Sequence, residues 1–418
     1  MSSTSPRASV VIPTYNRAEE LRATLESLAG QSLPADEFEV IVADDGSSDA
    51  TAELVRSFAS RLTLRYFFQE DRGARAAAAR NAGARLAGAP VLVFLDTGTL
   101  AGPGFLQGHL AHHTGRDGEA GPKVVIGYTY GYRPFDPTPG LAEAVAELSP
   151  EDVHRRYGED PSFQDCRHPE FASVDFDADA LPMPWIMSWT VNLSVTTEDF
   201  WRVGGFDETF EGWGVEDLDL GLRLYKAGAG FRVGREAWAI ETPHERDPAG
   251  NAESVVHNAL HLLRKFPEPA VELNWAWFAT GDWLVQDNSA TLHGRYASLL
   301  DWTREAGGLS VRQEIETLIQ DVPAGSRVAV FGCGGSLPPS LPDDAVLLDF
   351  DERVVAGAAA GGSSHRVRHG LGVRTCLPEQ SVDLVVVTSR LRGVWEPYGK
   401  LILDEAHRVG RTVRSTCP

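Results

Sequence analysis

The residues of this chain that could do chemistry are mostly acids set at turns. In Trp213-Gly214-Val215-Glu216-Asp217 a tight turn opens a helix and sets two adjacent carboxylates beside an indole. An indole face can stack on the flat apolar side of a pyranose while a carboxylate takes its hydroxyl proton. Neighbouring acids of unequal burial also have their pKa values pushed apart. Acids in a first helical turn are common for dipole reasons alone, so the pair read by itself supports either role. Asp44-Asp45-Gly46 closes an apolar run, where a carboxylate can accept from the N3–H of a uracil or cap the following helix. Asp96 heads Asp96-Thr97-Gly98 after five apolar residues. There it could bind a ribose hydroxyl or a phosphate-bridging divalent metal, or serve an ordinary turn. His244, in Thr242-Pro243-His244, is a candidate metal ligand, although a lone histidine is more often structural.

These side chains need elements to aim them. Ser9 to Pro13 reads as a buried strand, and Arg17 to Leu28 carries Leu21, Leu25 and Leu28 at helical spacing. Phe38–Ala43, Leu62–Phe68 and Val91–Leu95 predict further strands, with helices from about Asp49 and over Ala74–Leu86 between them. Such alternation predicts a parallel sheet covered on both faces, with ligands beyond the carboxyl ends of its strands. Thr14, Asp44, Asp45 and Asp96 fall at those ends. From about Gly115 the alternation stops. Residues 128–185, rich in Pro, Asp and aromatics such as Tyr128, Tyr130, Tyr132, Phe135 and Trp185, read as a long irregular excursion. Met187–Val195 then predicts a strand, and Thr197–Val203 and Glu216–Ala227 predict helices, the last capped by Gly228. After a Trp-rich helical stretch over 270–320, Arg327–Phe331, Val346–Leu348 and Val382–Thr388 predict the strands of a second, smaller α/β unit.

Composition narrows the partners. With 59 acidic against 38 basic side chains the formal charge is −21, which disfavours nucleic acid or an anionic membrane as the main partner. A site for an anionic diphosphate must therefore be a local exception, built from a few arginines, backbone amides or a metal. The four cysteines are dispersed, without a CxxC pair, so reduced thiols are expected. No apolar run approaches the roughly 18–20 residues of a transmembrane helix, and Met1–Ser9 lacks a signal-peptide core. A cytoplasmic protein is expected.

Transfer of a sugar from a nucleotide carrier needs a grip on base and ribose, charge neutralisation at the diphosphate, an acceptor base and orienting walls. Taken in order, Val10 to Arg17, Ala43-Asp44-Asp45-Gly46-Ser47, Arg80-Asn81-Ala82-Gly83, Phe94 to Gly98, Gly204-Gly205-Phe206-Asp207 and Trp213 to Asp217 resemble family 2 glycosyltransferases over about residues 8–250. The resemblance implies a GT-A fold (an α/β, Rossmann-like mixed sheet), a UDP-sugar donor, a divalent metal such as Mg²⁺ or Mn²⁺, and inversion by single displacement. It carries donor binding onto Pro13, Thr14, Tyr15, Asn16, Arg17, Asp44, Asp45, Arg80, Asp96, Thr97 and Gly98. It carries acceptor or sugar contact onto Trp189, Trp213, Gly214 and Glu216, the base onto Asp217 with Glu216 beside it, and the metal onto Asp96 and His244. Gly98 stands where the family's DXD motif has its second acid, which implies a weakly held metal. The Asp-Thr-Gly form, in a chain of this length, resembles members that glucosylate an aminocyclitol pseudo-disaccharide from UDP-glucose in antibiotic biosynthesis. Rival readings are a polysaccharide or surface-glycan transferase and a non-catalytic sugar-nucleotide sensor.

The C-terminal unit resembles class I methyltransferases through Val330-Phe331-Gly332-Cys333-Gly334, Asp349 as the ribose-binding acid, and Val382-Asp383-Leu384-Val385. Val330 replaces the acid that usually heads the glycine motif, and Ser336 a later glycine, so the unit is expected to be a degenerate Rossmann-like remnant serving packing or homo-oligomerisation. The organisation expected is a nucleotide-sugar half over 8–115, an acceptor half over 116–268, a helical linker over 269–320 and the degenerate unit over 321–418.

Overall fold

The first apolar run of the chain, Ala8–Thr14 (β1), is buried at every residue but Pro13, as a strand covered on both faces must be. It belongs to a computed structural model that describes residues 5–113, 123–133, 136–158, 160–244, 247–284, 291–360, 365 and 367–417. The chain divides into two units, Met1–Asn258 and Ala259–Pro418. The expected half-domain boundary at 115/116, and Phe135, lie outside the described residues.

In the first unit β1 is followed by α1 (Ala18–Ala29), β2 (Phe38–Asp44), α2 (Thr51–Ser57), β3 (Leu64–Phe68), α3 (Ala76–Leu86) and β4 (Val91–Leu95). Then come β5 (Thr99–Ala101), α4 (Phe105–His113), β6 (Lys123–Tyr130), α5 (Leu141–Glu147), α6 (Pro150–Tyr157) and α7 (His168–Ser173). β7 (Asn192–Thr196), α8 (Thr197–Arg202), α9 (Glu216–Lys226), β8 (Gly230–Glu241) and α10 (Pro248–Lys265) follow, the division between units falling within α10. The sheet order is β3-β2-β1-β4-β7-β6-β8-β5. β1 to β4 pair in parallel, and β7 is antiparallel to both β4 and β6, so the sheet is mixed. Register sets Thr14 opposite Asp44, at the carboxyl edge where ligands of such sheets sit. Helix α3 packs close on β1 because Gly83 has no side chain: a Cβ there would lie 2.6 Å from Val11 Cγ1.

Two expectations change. The strand expected over Met187–Val195 is a 3-10 turn at Pro184–Met187 followed by β7 from Asn192, since a short buried apolar run serves either conformation. The excursion over 128–185 holds β6 to Tyr130 and three short helices. Local signals for them exist: Pro150 occupies the first turn of α6, and Ser149 Oγ accepts from Asp152 N–H at 3.2 Å. Gly228 does follow α9 with a φ of +84°, as a glycine cap should.

The second unit contains α11 (Pro269–Ala279), α12 (Leu292–Glu305), α13 (Arg312–Ile319), β9 (Val328–Phe331), β10 (Val346–Asp349) and α14 (Glu352–Ala360). β11 (Val367–His369), β12 (Val382–Val387), α15 (Trp395–Val409) and β13 (Gly410–Ser415) complete it. All five strands are parallel in the order β11-β10-β9-β12-β13, a doubly wound arrangement. The helices of 269–319 pack into this unit. Glu272 on α11 accepts from the N–H groups of Leu371, Val373 and Arg374, and Trp302 Nε1–H on α12 donates to Arg390 O at 2.9 Å. Strands β11 and β13 escape the sequence reading because one is three residues long and the other is polar along an exposed edge. All four cysteines are free, and among the described residues no helix is long and apolar enough to cross a membrane.

Asp349, the acid expected to meet a ribose, is fully buried and already saturated. Its Oδ2 accepts from Gly334 N–H at 2.8 Å and Arg390 Nε–H at 2.9 Å. Its Oδ1 accepts from Asp351 N–H at 3.0 Å and Arg390 Nη2 at 3.2 Å. Arg390, equally buried, thus meets both oxygens of the acid. S-adenosylmethionine should leave the melting temperature of the protein unchanged, whereas a saturable rise would show an open cofactor site. Arg390→Ala strands a buried carboxylate and should cost about 3–5 kcal/mol in denaturant melts.

Candidate active site

Two loops at the carboxyl edge of the sheet are stitched together before any ligand is considered. Asp45 N–H donates to Thr14 O at 2.9 Å. Asn16 N–H donates to Ser47 Oγ at 2.7 Å, and Asn16 Oδ1 accepts from Ser48 N–H at 2.7 Å. Asn16 adopts a φ of +49°, which Asn tolerates better than most residues. Asp49 Oδ2 accepts from Ala18 N–H at 3.0 Å, so the second loop supplies a cap for α1.

Asp44 turns inward. Its Oδ1 accepts from Gly46 and Ser47 N–H, and its Oδ2 from the Tyr66 hydroxyl at 2.6 Å. Burial and this carboxylate both push the Tyr66 phenol up, so it stays a donor. Asp45 accepts from Gln69 Nε2 at 2.5 Å and from Arg75 N–H at 2.7 Å. Tyr15 is exposed, with its hydroxyl donated to Asp71 at 2.8 Å.

The centre of the site is Arg80, at the middle of α3. Nη1 donates to Glu216 Oε1 at 2.8 Å and Nη2 to Asp96 Oδ1 at 2.9 Å, while the guanidinium lies over the Phe206 ring. The side chain is 6% exposed, and those two acids more than offset the burial that opposes its charge. Its neighbour Asn81 grips the segment after α8 through Phe206 O, Phe206 N–H and Glu208 Oε1. One turn of helix thus ties the first half of the sheet to the turn that opens α9.

That turn is strained. Val215, a buried β-branched residue, has a φ of +79°, a conformation such residues rarely adopt. Side chains of α10 hold it there: Asn258 Nδ2 donates to Glu211 O and Gly214 O, and Ser254 Oγ accepts from Trp213 N–H at 2.7 Å. Neither Ser254 nor Asn258 is legible as a site residue in the sequence, because each serves the turn from 40 or so residues away. The turn aims Glu216 at Arg80, while the Asp217 carboxylate, among the described residues, accepts only from Leu218 N–H, at 2.8 Å. Asp217 keeps some solvent access. Yet crowding by protein, and then the charge of Glu216, push its carboxyl up to about 7.

Asp96 has its other oxygen unpaired among the described residues, and its side chain is 37% exposed. Thr97 Oγ–H donates to Pro13 O at 2.8 Å, and Gly98 O accepts from Thr242 N–H at 3.0 Å, which brings the His244 strand end alongside. His244 Nδ1 lies 3.2 Å from Thr242 O and 4.0 Å from Glu241 Oε1. Asp96 and His244 are the pair that the resemblance assigns to a metal; among the described residues no group of three or more His, Cys, Asp or Glu side chains could hold a metal ion. Gly98 has a φ of +90°, and a Cβ there would lie 3.3 Å from Arg17 Nη2.

The chain matches the sequence profile of glycosyl transferase family 2 over residues 9–145, and that of the N-terminal domain of galactosyltransferase over residues 174–244. It is 46% identical to a validoxylamine A glucosyltransferase of Streptomyces hygroscopicus subsp. jinggangensis, covering 98% of this chain and 96% of that protein. A second validoxylamine A glucosyltransferase, from subsp. limoneus, is 45% identical over 98% of this chain and 90% of its own. The crystal structure of Staphylococcus aureus TarS 1–349 superposes with a TM-score of 0.44 at 19% identity, covering 72% of this chain and 79% of that one. With near-complete coverage by the Streptomyces relatives and the profile match over its first six strands, the chain is a GT-A-fold member of glycosyl transferase family 2.

Proposed function

We propose that the first unit transfers glucose from UDP-glucose, with inversion, onto a hydroxyl of an aminocyclitol such as validoxylamine A. One observation carries the mechanism: the adjacent acids Glu216 and Asp217 are split by Arg80. Glu216 pairs with Arg80, while Asp217, without an ion-pair partner among the described residues, is basic enough to take a proton near neutral pH. Acids pushed apart in this way mark acid–base chemistry, which a sugar-nucleotide sensor does not need.

In this reading the acceptor oxygen attacks the anomeric carbon from the side opposite the diphosphate. As that C–O bond forms, the bond from the anomeric carbon to the β-phosphate oxygen breaks, Asp217 takes the hydroxyl proton, and UDP departs. The stitched loops of Thr14, Asn16 and Asp45, braced from within by Asp44, form the base-and-ribose end of the donor site, and Arg80 and Arg17 supply positive charge beside Asp96. A divalent cation held by Asp96 and His244 would neutralise charge on the departing diphosphate. The small acceptor is favoured over a polymer because the Streptomyces relatives align along almost the whole chain, whereas Escherichia coli chondroitin synthase, at 33% identity, covers 62% of it.

Asp217→Asn should lower turnover on the order of 10²–10⁴-fold while UDP affinity barely moves, measured by coupled assay and calorimetry. A normal rate in that variant, with Glu216→Gln inactive, reverses the two roles. Wild-type kcat/KM should rise with pH through about 7 as Asp217 loses its proton. Removing the Glu216 charge relieves the repulsion that raises Asp217, so in Glu216→Gln the rise should move to lower pH.

The metal gives a separate expectation. Two protein ligands hold a hard cation weakly, so chelator should silence the enzyme and activity should titrate with added Mg²⁺ or Mn²⁺. Gly98→Asp places a side chain at positive φ against Arg17, and the new carboxylate should pair with that guanidinium. Half-saturating metal should stay unchanged, and both Gly98→Asp and Gly98→Ala should lose about 1–2 kcal/mol of stability from the backbone alone. Tighter metal binding in the Asp variant would show that position 98 reaches the cation.

A further inference from the structure

The second unit holds a cavity of about 430 Å³ at the β11 edge of its sheet, within the roughly 300–1,000 Å³ usual for small-molecule sites. Leu348 of β10 and Val367 of β11 line it, and the segment after β11 adds Arg374, Cys376 and Leu377. Leu348, Val367 and Leu377 are buried, so part of the wall is hydrocarbon.

The charges of the rest of the wall do not cancel. Arg368, on β11, is exposed and has no ion-pair partner among the described residues. Arg374 Nη1 donates to Glu405 Oε2 at 3.2 Å, but Glu405 also accepts from Arg408 Nη2 at 2.6 Å and Nε at 2.7 Å. One carboxylate thus serves two guanidiniums. The acid in the wall, Glu272, is buried and turned to backbone. Its Oε1 accepts from Leu371 N–H at 2.7 Å, and its Oε2 from Val373 N–H at 2.8 Å and Arg374 N–H at 3.2 Å. Burial pushes its carboxyl up to about 7, so near neutral pH it carries only part of a charge. Arg264 and Arg368 both act on the exposed Cys376 thiol. In a chain of formal charge −21, this wall is a local excess of positive charge.

We propose that this cavity binds a small organic oxyanion, a carboxylate or phosphate ester on a compact apolar body, with Arg368 as its main charge contact and Arg374 beside it. The apolar wall takes the body. A guanidinium without an acid partner offers its planar fork to two oxygens of one anion, and such paired, charge-assisted hydrogen bonds are the strong ones. The site belongs to the second unit and does not depend on glycosyl transfer by the first.

The test uses phenyl phosphate and benzoate, which share a ring and differ in the anion, with benzylamine as the probe of opposite charge. Each is added to the full-length protein, and two signals are read: the melting temperature, and the rate at which iodoacetamide alkylates Cys376, followed by mass spectrometry of its peptide. At least one anion should raise the melting temperature saturably and slow alkylation of Cys376 on the order of ten-fold near saturation, while benzylamine protects nothing. The stronger of the two anions identifies the head group as phosphate ester or carboxylate. Arg368→Gln should melt with the wild type, because Arg368 has no ion-pair partner to lose, yet need about ten-fold more anion for half-protection. Arg368→Lys, which keeps the charge without the fork, should fall between. A melting shift with no protection of Cys376 places the anion elsewhere and overturns the site, as does the absence of both signals. Half-protection that is unchanged in Arg368→Gln overturns it too. Protection by benzylamine in preference to both anions gives the cavity to a cation facing Glu272 and ends the proposal.

Discussion

A buried guanidinium shared by two carboxylates holds the first unit's site together. Arg80 comes from α3, Asp96 from the end of β4 and Glu216 from the start of α9, so one charge joins elements 136 residues apart in the chain. A cation removed from water demands such partners, and each acid near the other demands a cation. The rest of the local structure serves this arrangement. Gly83 lets α3 lie against β1, Asn81 fixes the segment leading to the turn, and α10 clamps the turn that aims Glu216. Strain at Val215 persists because all of these contacts over-determine it.

The same arrangement separates two neighbouring carboxylates. Glu216 and Asp217 differ by one residue on a helix, which turns their side chains about 100° apart. One meets Arg80 and is committed to charge balance. The other meets crowding and a nearby negative charge, and becomes a weak acid whose anion is a usable base. Structure thereby converts a repeated carboxylate group into two roles.

The second unit uses the same kind of pair for the opposite end. Arg390 and Asp349 are both essentially unexposed, and every oxygen of the acid is engaged from within the unit. Asp96, by contrast, keeps 37% of its side chain exposed after meeting Arg80. The difference between a site and a structural joint here is access, since the chemical groups are alike. The second unit is a doubly wound parallel sheet in which an arginine pairs with the acid that ends β10.

The sequence by itself determined the parallel core of the first unit, because buried β-branched runs such as Ser9–Ile12 and Val91–Leu95 admit few other conformations. It also determined the ends at which Thr14, Asp45 and Asp96 stand, since polar residues follow those runs. The ordered set of motifs was legible as a family for the same reason: each segment is local, with its acid or glycine at a turn. What only the tertiary structure decided is every relation between distant segments. Whether Asp44 faces a ligand or Tyr66 depends on a strand two elements away, and whether Glu216 or Asp217 is free depends on α3. That Asp349 is spent depends on Arg390, 41 residues further on, and the helices hidden in residues 136–180 emerge only as their few apolar side chains find a core. Hydrophobic periodicity is a local property of the chain. Charge pairing and burial are set by through-space neighbours, and these exist only once the chain has folded.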